Sequence, residues 1–407
     1  MKRYFQNPRI FTVLVIPFFK PILFQYISEL YILEDIYIFW KILAAGFILS
    51  FFGLCILSSN RIPKMVLAIG IFELSILLST FVYWGDISRA LIDTISMISY
   101  TAFLVLSIKW DHVFTLRMLK KIMCILMLIN LGSMILFPNG IPADLYHNQE
   151  NALYFMTNDN GSTLFLIFVM TLILLDGQVN RKNRNYKNGI LLFSSFLSAL
   201  LSRSATAIVS LTLLLFGLFV IKKSKRIWKA MPKIIFILYM MLLLYLFTLQ
   251  DSAVMEYVMT HILHRSGTFT GRYELWRTAW KMIGSQPWLG YGRLNHDYIA
   301  AWGGYFSSHN MIIEILLQGG MIALIAFASL MNIVIQRMRI AFFNKLAVCM
   351  ALALAVILTA ALMEAAVHSV YIFGLFIISY YSIELIEEEA IKKDGGENCI
   401  ECHRSDL

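Results

Sequence analysis

Charge is scarce in this 407-residue chain: Asp, Glu, Lys and Arg make up 14% of it, against 59% hydrophobic residues. Soluble domains carry about a quarter charged residues, so the composition excludes an ordinary soluble fold. Alternation of apolar and polar residues at period two is absent, which excludes a transmembrane β-barrel. Neither a P-loop nor a dinucleotide-binding glycine fingerprint is present, and no repeat of solenoid length recurs. The Gly-Tyr-Gly at 290–292 lacks the Thr-Val context of a potassium filter. Cysteine is sparse: Cys55, Cys124 and Cys349 lie inside apolar runs, and the CIEC of Cys399 and Cys402 has metal-knuckle spacing without a second pair, so a plain polar tail is the simpler reading. The basic start, MKRYFQNPRI, is followed by a run that holds Pro17, Lys20 and Pro21 and no small-residue cleavage pattern, which reads as a retained first span rather than a signal peptide.

What the chain has is apolar runs, each about twenty residues long, enough to cross a hydrocarbon core of roughly 30 Å as a helix. They fall near 9–28, 36–58, 64–84, 87–107, 119–137, 160–176, 189–202, 203–221, 233–250, 310–335, 344–363 and 366–386. The expected fold is an all-α polytopic membrane protein of about twelve transmembrane helices. The expected division is a membrane domain at 1–250 with the first nine spans, a loop at 251–308, the last three spans at 309–386, and a polar tail at 387–407. The net charge of +9 sits in short loops between the runs, so the positive-inside bias accounts for it and nucleic acid is not an expected partner.

Lys2/Arg3, Arg61/Lys64, Lys109 to Lys121, RKNRNYK at 181–187, KKSKR at 222–226 and QRMR at 336–339 fall on alternate loops. Those loops are expected to be cytoplasmic, with both termini on the same side. The run at 189–221 has basic loops at both ends, so the chain must cross and return, with an outer turn near SRSAT at 202–206. Arg203 then sits at the outer end of two short spans, clear of the cost of an Arg at the bilayer centre. The same parity places the 251–308 loop outside the cytoplasm. Within it RYELWRTAWKMI sets Leu275, Trp276, Ala279, Trp280 and Ile283 on one helical face, with Arg272, Arg277 and Lys281 elsewhere, as suits a helix lying in the membrane interface. Pro287, Gly290 and Gly292 break it.

Arg203, Arg272 and His309 are thereby expected on one side of the membrane. Cations at an outer surface beside a His able to accept a proton suit a substrate whose head carries phosphate and whose reaction needs a base, such as a lipid-diphosphate sugar. Taken singly, each has a plainer reading: an Arg at a span end as a snorkelling anchor, a His at a helix start as a hydrogen-bonded wall.

The segment TGRYELWRTAWKMIGSQPWLGYGRL, followed by SHNMIIEILLQGGMIALI, resembles the O-antigen ligase/polymerase family of bacterial surface-polysaccharide enzymes, with its Gly-Arg…Trp, Pro-x-x-Gly-x-Gly and His-Asn…Gly-Gly features in order. SRSATAI at 202–208 resembles the Ser-Arg-small motif of an earlier span, and TNDNG at 157–161 its Asn-rich opening of another. The resemblance implies a metal-independent glycosyltransferase, without cofactor, acting on undecaprenyl-diphosphate-linked glycans at the outer face of the cytoplasmic membrane. It implies that Arg203 and Arg272 hold the donor diphosphate and that His309 orients or deprotonates the acceptor hydroxyl. Asn310 beside His309 and Asn158 in TNDNG are further substrate-binding candidates, although Asn158 is more economically a helix cap. Arg277 and Lys281 would meet glycan or lipid phosphate, or serve only as a solvated face. Lys20 would face a cavity or snorkel outward. Glu364 and His368, four apart on one expected helix face, are an accessory acid/base pair or a structural hydrogen bond.

Two enzyme readings remain: a polymerase that joins lipid-linked repeat units, which the compact outer loop favours, and a ligase that moves finished polymer to another acceptor. A lipid-linked oligosaccharide transporter is the reading from a different class. The one-sided cations argue against it, because transporters place charge near the midplane of repeated halves. A polymerase would work beside a flippase and a chain-length regulator.

Overall fold

A computed structural model describes residues 6–144, 152–159, 161–179, 186–223, 268–295, 307–340, 344–364 and 366–381. The expected span at 233–250, the loop stretches at 251–267 and 296–306 and the tail at 387–407, with its CIEC, lie outside these residues. Among the described residues the chain is helical throughout, with one isolated antiparallel bridge between Leu153 and Asn158.

The helices are α1 (Pro8–Val15), α2 (Tyr31–Ser59), α3 (Lys64–Val82), α4 (Ile87–Trp110), α5 (His112–Leu136), α6 (Ser162–Val179), α7 (Tyr186–Leu201), α8 (Ala205–Lys223), α9 (Thr268–Ser285), α10 (Met311–Ile340), α11 (Lys345–Ala361) and α12 (Val370–Tyr381). Short polar residues punctuate the apolar runs. Asp86 and Asp111 cap α4 and α5 by accepting from the Arg89 and Phe114 amides at 2.9 Å, and Asn60 ends α2 in a left-handed conformation at φ 52°.

Five described stretches are long and apolar enough to cross a membrane: 28–59, which contains α2, then α3, α4, α5 and most of α10. The shorter apolar helices α6, α7, α8, α11 and α12 pack with them around one buried core. Large apolar side chains cover the outside as well. Ile32, Phe39, Phe47 and Leu54 of α2 are all more than half exposed, a surface that suits lipid and not water.

The first expected span, 9–28, is not one helix. After α1 the chain passes through three single turns, Ile16–Phe18, Ile22–Gln25 and Ser28–Leu30. Pro17 and Pro21 offer no amide to a helical ladder, and Pro21 holds extended backbone at ψ 131°. Lys20 lies in this break and meets Glu34 of α2 at 2.5 Å. The chain does reverse at 202–204, where α7 ends and α8 begins, close to the expected turn at 202–206.

α10 is continuous in hydropathy but broken in backbone. Gly320 stands at φ 62° and ψ −159° in its interior, and the 287–292 segment docks into that break. The Met321 and Ile322 amides donate to the Pro287 and Trp288 carbonyls at 2.8 and 3.2 Å, while the Tyr291 and Gly292 amides donate to the Leu317 and Gln318 carbonyls at 2.6 and 3.0 Å. A Cβ on Gly320 would lie 2.3 Å from the Trp288 carbonyl carbon, and one on Gly290 would lie 2.5 Å from the Leu317 carbonyl oxygen. The glycines of this motif are therefore there to let two backbones touch.

Candidate functional site

His309 opens α10 from a turn that is fixed on several sides. The Asn310 side-chain oxygen caps the helix by accepting from the Ile312 and Ile313 amides at 3.0 and 3.2 Å. The His309 amide donates to Ser307 Oγ at 3.0 Å. Glu314, one turn into α10, accepts from both the Ser308 amide and the Ser308 hydroxyl at 2.9 and 2.8 Å. These bonds hold His309 half-buried at φ 50°, a left-handed conformation that a non-glycine residue adopts only when its surroundings impose it.

The second component is α9. Trp276, Ala279 and Ile283 are buried against Ile313, Leu316 and Leu317 of α10 and against Leu362. Part of the face expected to meet the membrane interface thus packs on protein, while Trp280 stays 42% exposed. The Trp276 indole N–H donates to the Ser308 carbonyl at 2.7 Å, so α9 and the His309 turn are bonded directly. Arg272 lies on α9 one helical turn before Trp276, and Arg277 and Lys281 are exposed on the same helix.

Arg203 is held by a different element. It is exposed at φ 54° in the α7–α8 turn, between Ser202 and Ser204, both buried. Those serines meet Ser162 and Thr163 at the start of α6 at 3.2 and 3.3 Å. Burial pushes the Tyr154 phenol above its ordinary range, Asp159 adds to the rise and Arg203 opposes it, so the guanidinium lies within Coulombic reach of the phenol. Asn158 accepts from the Gly161 amide at 2.7 Å, a turn-forming bond leading into α6.

Contacts join the two components. The start of α6 packs on the start of α12 through Phe165 and Tyr371, whose ring centroids are 5.7 Å apart. Just before α12, His368 reaches Gln318 of α10 at 3.4 Å, and Gln318 donates to Glu314 at 2.8 Å. Arg203 and His309 therefore stand at the same end of the bundle, as do α9 and the 286–295 segment.

His368 also corrects an expectation. Residues 364 and 368 lie in the turn between α11 and α12 and share no helix face; His368 Nδ1 is 2.9 Å from Glu73 of α3, which is fully buried. A buried polar chain, Glu73–His368–Gln318–Glu314–Ser308, thus runs from the middle of α3 to the residue beside His309. Arg293, whose Nε donates to Asp93 at 3.2 Å, ties the 286–295 segment to α4 through an ion pair. None of Glu73, Gln318, Glu314 or Arg293 was singled out from the sequence. An acid such as Glu73 or Glu314 inside an apolar run is the signal that could have found them.

Three of the substrate-binding candidates make contacts within the protein. Asn310 is buried and caps α10 through its side-chain oxygen, while among the described residues its Nδ2 has no hydrogen-bond partner; Asn158 serves its turn through its side-chain oxygen, and Lys20 pairs with Glu34. Among the described residues no three His, Cys, Asp or Glu side chains converge as ligands would.

One end of the apolar helical bundle thus holds Arg203, the helix α9 that carries Arg272, and the His309 turn. Residues 190–328, which contain all three, match the family described as O-antigen ligase. The match supports an O-antigen ligase/polymerase-like family, whose members are membrane glycosyltransferase-like enzymes. No curated protein matches the chain significantly.

Proposed function

We propose that the protein is a polysaccharide polymerase that joins oligosaccharide repeat units carried on undecaprenyl diphosphate. The observation that carries this reading is the direct bond from Trp276 to Ser308, which sets the Arg272 helix against the His309 turn, with Arg203 at the same end of the bundle. The acceptor hydroxyl oxygen attacks the anomeric carbon of the donor, the bond from that carbon to the diphosphate breaks, and the diphosphate leaves with the electron pair. An imidazole nitrogen of His309 takes the hydroxyl proton and later returns it to solvent. Arg203 and Arg272 bind the diphosphate more strongly as its charge grows, and the planar guanidinium suits two oxygens at once. Arg277 and Lys281, exposed along α9, extend the cationic surface toward glycan or lipid phosphate. Asn310 and Asn158 act through the turns they cap, and Lys20 through its ion pair. No metal or cofactor takes part.

In this reading about twelve helices cross the cytoplasmic membrane, both termini are cytoplasmic, and the site faces outward. A flippase would supply the donor and a chain-length regulator would limit the product. A ligase is the second reading, favoured by the description of the matched family itself; the match lends the transporter reading no support. Acceptor dependence separates polymerase from ligase. The purified full chain, given only undecaprenyl-diphosphate repeat units, should form a ladder of products on a gel. Transfer of preformed polymer to a lipid A core acceptor, with no ladder from repeat units alone, would establish the ligase.

A further inference from the structure

At the bundle end opposite His309 lies a cavity of about 1430 Å³, formed by the ends of α2, α3, α4, α10 and α12. Its charged lining residues are Arg61, Lys64, Lys109, Arg337 and Arg339, and among the described residues no Asp or Glu lines it. A positive-inside bias explains why cations sit at this end, but not why five of the described residues converge on one space. Two stand over aromatic rings, Lys109 6.0 Å from the centroid of Tyr381 and Arg337 5.9 Å from that of Tyr380. Arg337 Nε is buried and, among the described residues, has no hydrogen-bond partner. A buried guanidinium N–H left unpaired is costly, and an anion would satisfy it.

The backbone points the same way. α3 starts at this cavity behind Pro63, and among the described residues no side chain caps its first amides, so the positive end of its dipole is open to an anion. The remaining wall is apolar, with Phe52, Ile56, Leu106 and Ile333. A ligand that satisfies both parts has an anionic head and a hydrocarbon body.

We infer that this cavity binds the phosphate head of an anionic membrane lipid, at a site separate from the one that carries out the chemistry. Phosphate is the chemistry that the cations and the open helix end recognise, and the apolar wall points to a lipid as its bearer. The inference does not depend on the polymerase reading.

The test uses the purified full chain in detergent, with lipid binding followed by native mass spectrometry and by the thermal unfolding midpoint. Phosphatidylglycerol should stay bound and raise the midpoint, whereas phosphatidylcholine, whose head has no net charge, should do neither. Each basic residue near a lipid phosphate strengthens binding about fivefold, so Arg337→Gln with Lys109→Gln should weaken phosphatidylglycerol binding about 25-fold. Arg337→Lys keeps the charge and guards against a folding defect; it should lose less than the double variant. Equal binding of the two lipids, or undiminished phosphatidylglycerol binding by the double variant, overturns the site. If inorganic phosphate alone raises the midpoint as far as phosphatidylglycerol does, the anion site stands and the lipid source is overturned.

Discussion

Trp276→Phe removes one hydrogen bond and leaves most of the packing of α9 in place. The indole donates at 2.7 Å to the carbonyl of Ser308, and both residues are buried, at 3% and 0% exposure. Orphaning a buried carbonyl costs about 1–3 kcal/mol. The left-handed backbone of the next residue, His309, costs roughly 1–2 kcal/mol, so the lost bond is comparable with the strain it helps to impose. Since about 1.4 kcal/mol is a factor of ten in an equilibrium, the equilibrium constant for the productive turn should fall about 5- to 150-fold. In an assay of repeat-unit polymerisation by the purified protein, kcat should fall by up to that factor while the affinity for donor changes less than about threefold. Trp280→Phe, one turn on and partly exposed, is the control and should leave the rate unchanged. A Trp276→Phe protein that folds normally and polymerises at the wild-type rate would show that this bond does not position His309.

Arg272→Lys should retain charge but lose the two-pronged contact, with activity well below wild type, and Arg272→Ala should approach background. A contact made only in the transition state and worth about 3 kcal/mol is a loss of about two orders of magnitude. Arg203 should behave alike, and long polymer from a folded Arg272→Ala protein would remove it from the site. Topology is open to cysteine labelling after Cys55, Cys124, Cys349, Cys399 and Cys402 are replaced. Ser285→Cys, exposed at the site end, should react with an impermeant thiol reagent on intact cells, and Ser59→Cys, exposed at the other end, only after lysis. The reverse pattern would contradict the outward-facing site.

Hydropathy located α3, α4 and α10 within a few residues because an apolar run of spanning length has few alternatives to a helix. It failed at 9–28, where Pro17 and Pro21 break the helix while hydropathy stays high. It was blind to the break at Gly320, because glycine inside QGG costs little hydropathy and shows its purpose only when the 287–292 backbone is laid against it. The motif residues Arg203, Arg272 and His309 were readable, but not the bonds that hold two of them in left-handed backbone. The polar chain behind His309 was hidden by distance along the sequence, since Glu73 and His368 meet across 295 residues. His368 was instead assigned a neighbour at the helical spacing, Glu364, because local spacing is the only geometry a sequence states.

His309→Gln separates a proton acceptor from a structural side chain at the opening of α10. An amide retains hydrogen bonding but has no basic nitrogen in the working pH range, so a structural His tolerates the change and a proton acceptor does not. The measurement is polymer length from undecaprenyl-diphosphate repeat units, made by purified wild-type and His309→Gln proteins with and without chelator. The variant should insert and bind donor but not extend it, and chelator should leave the wild type active. Polymerisation by His309→Gln near the wild-type rate would contradict the role of His309, and chelator inhibition reversed specifically by a divalent ion would contradict the metal-free reaction.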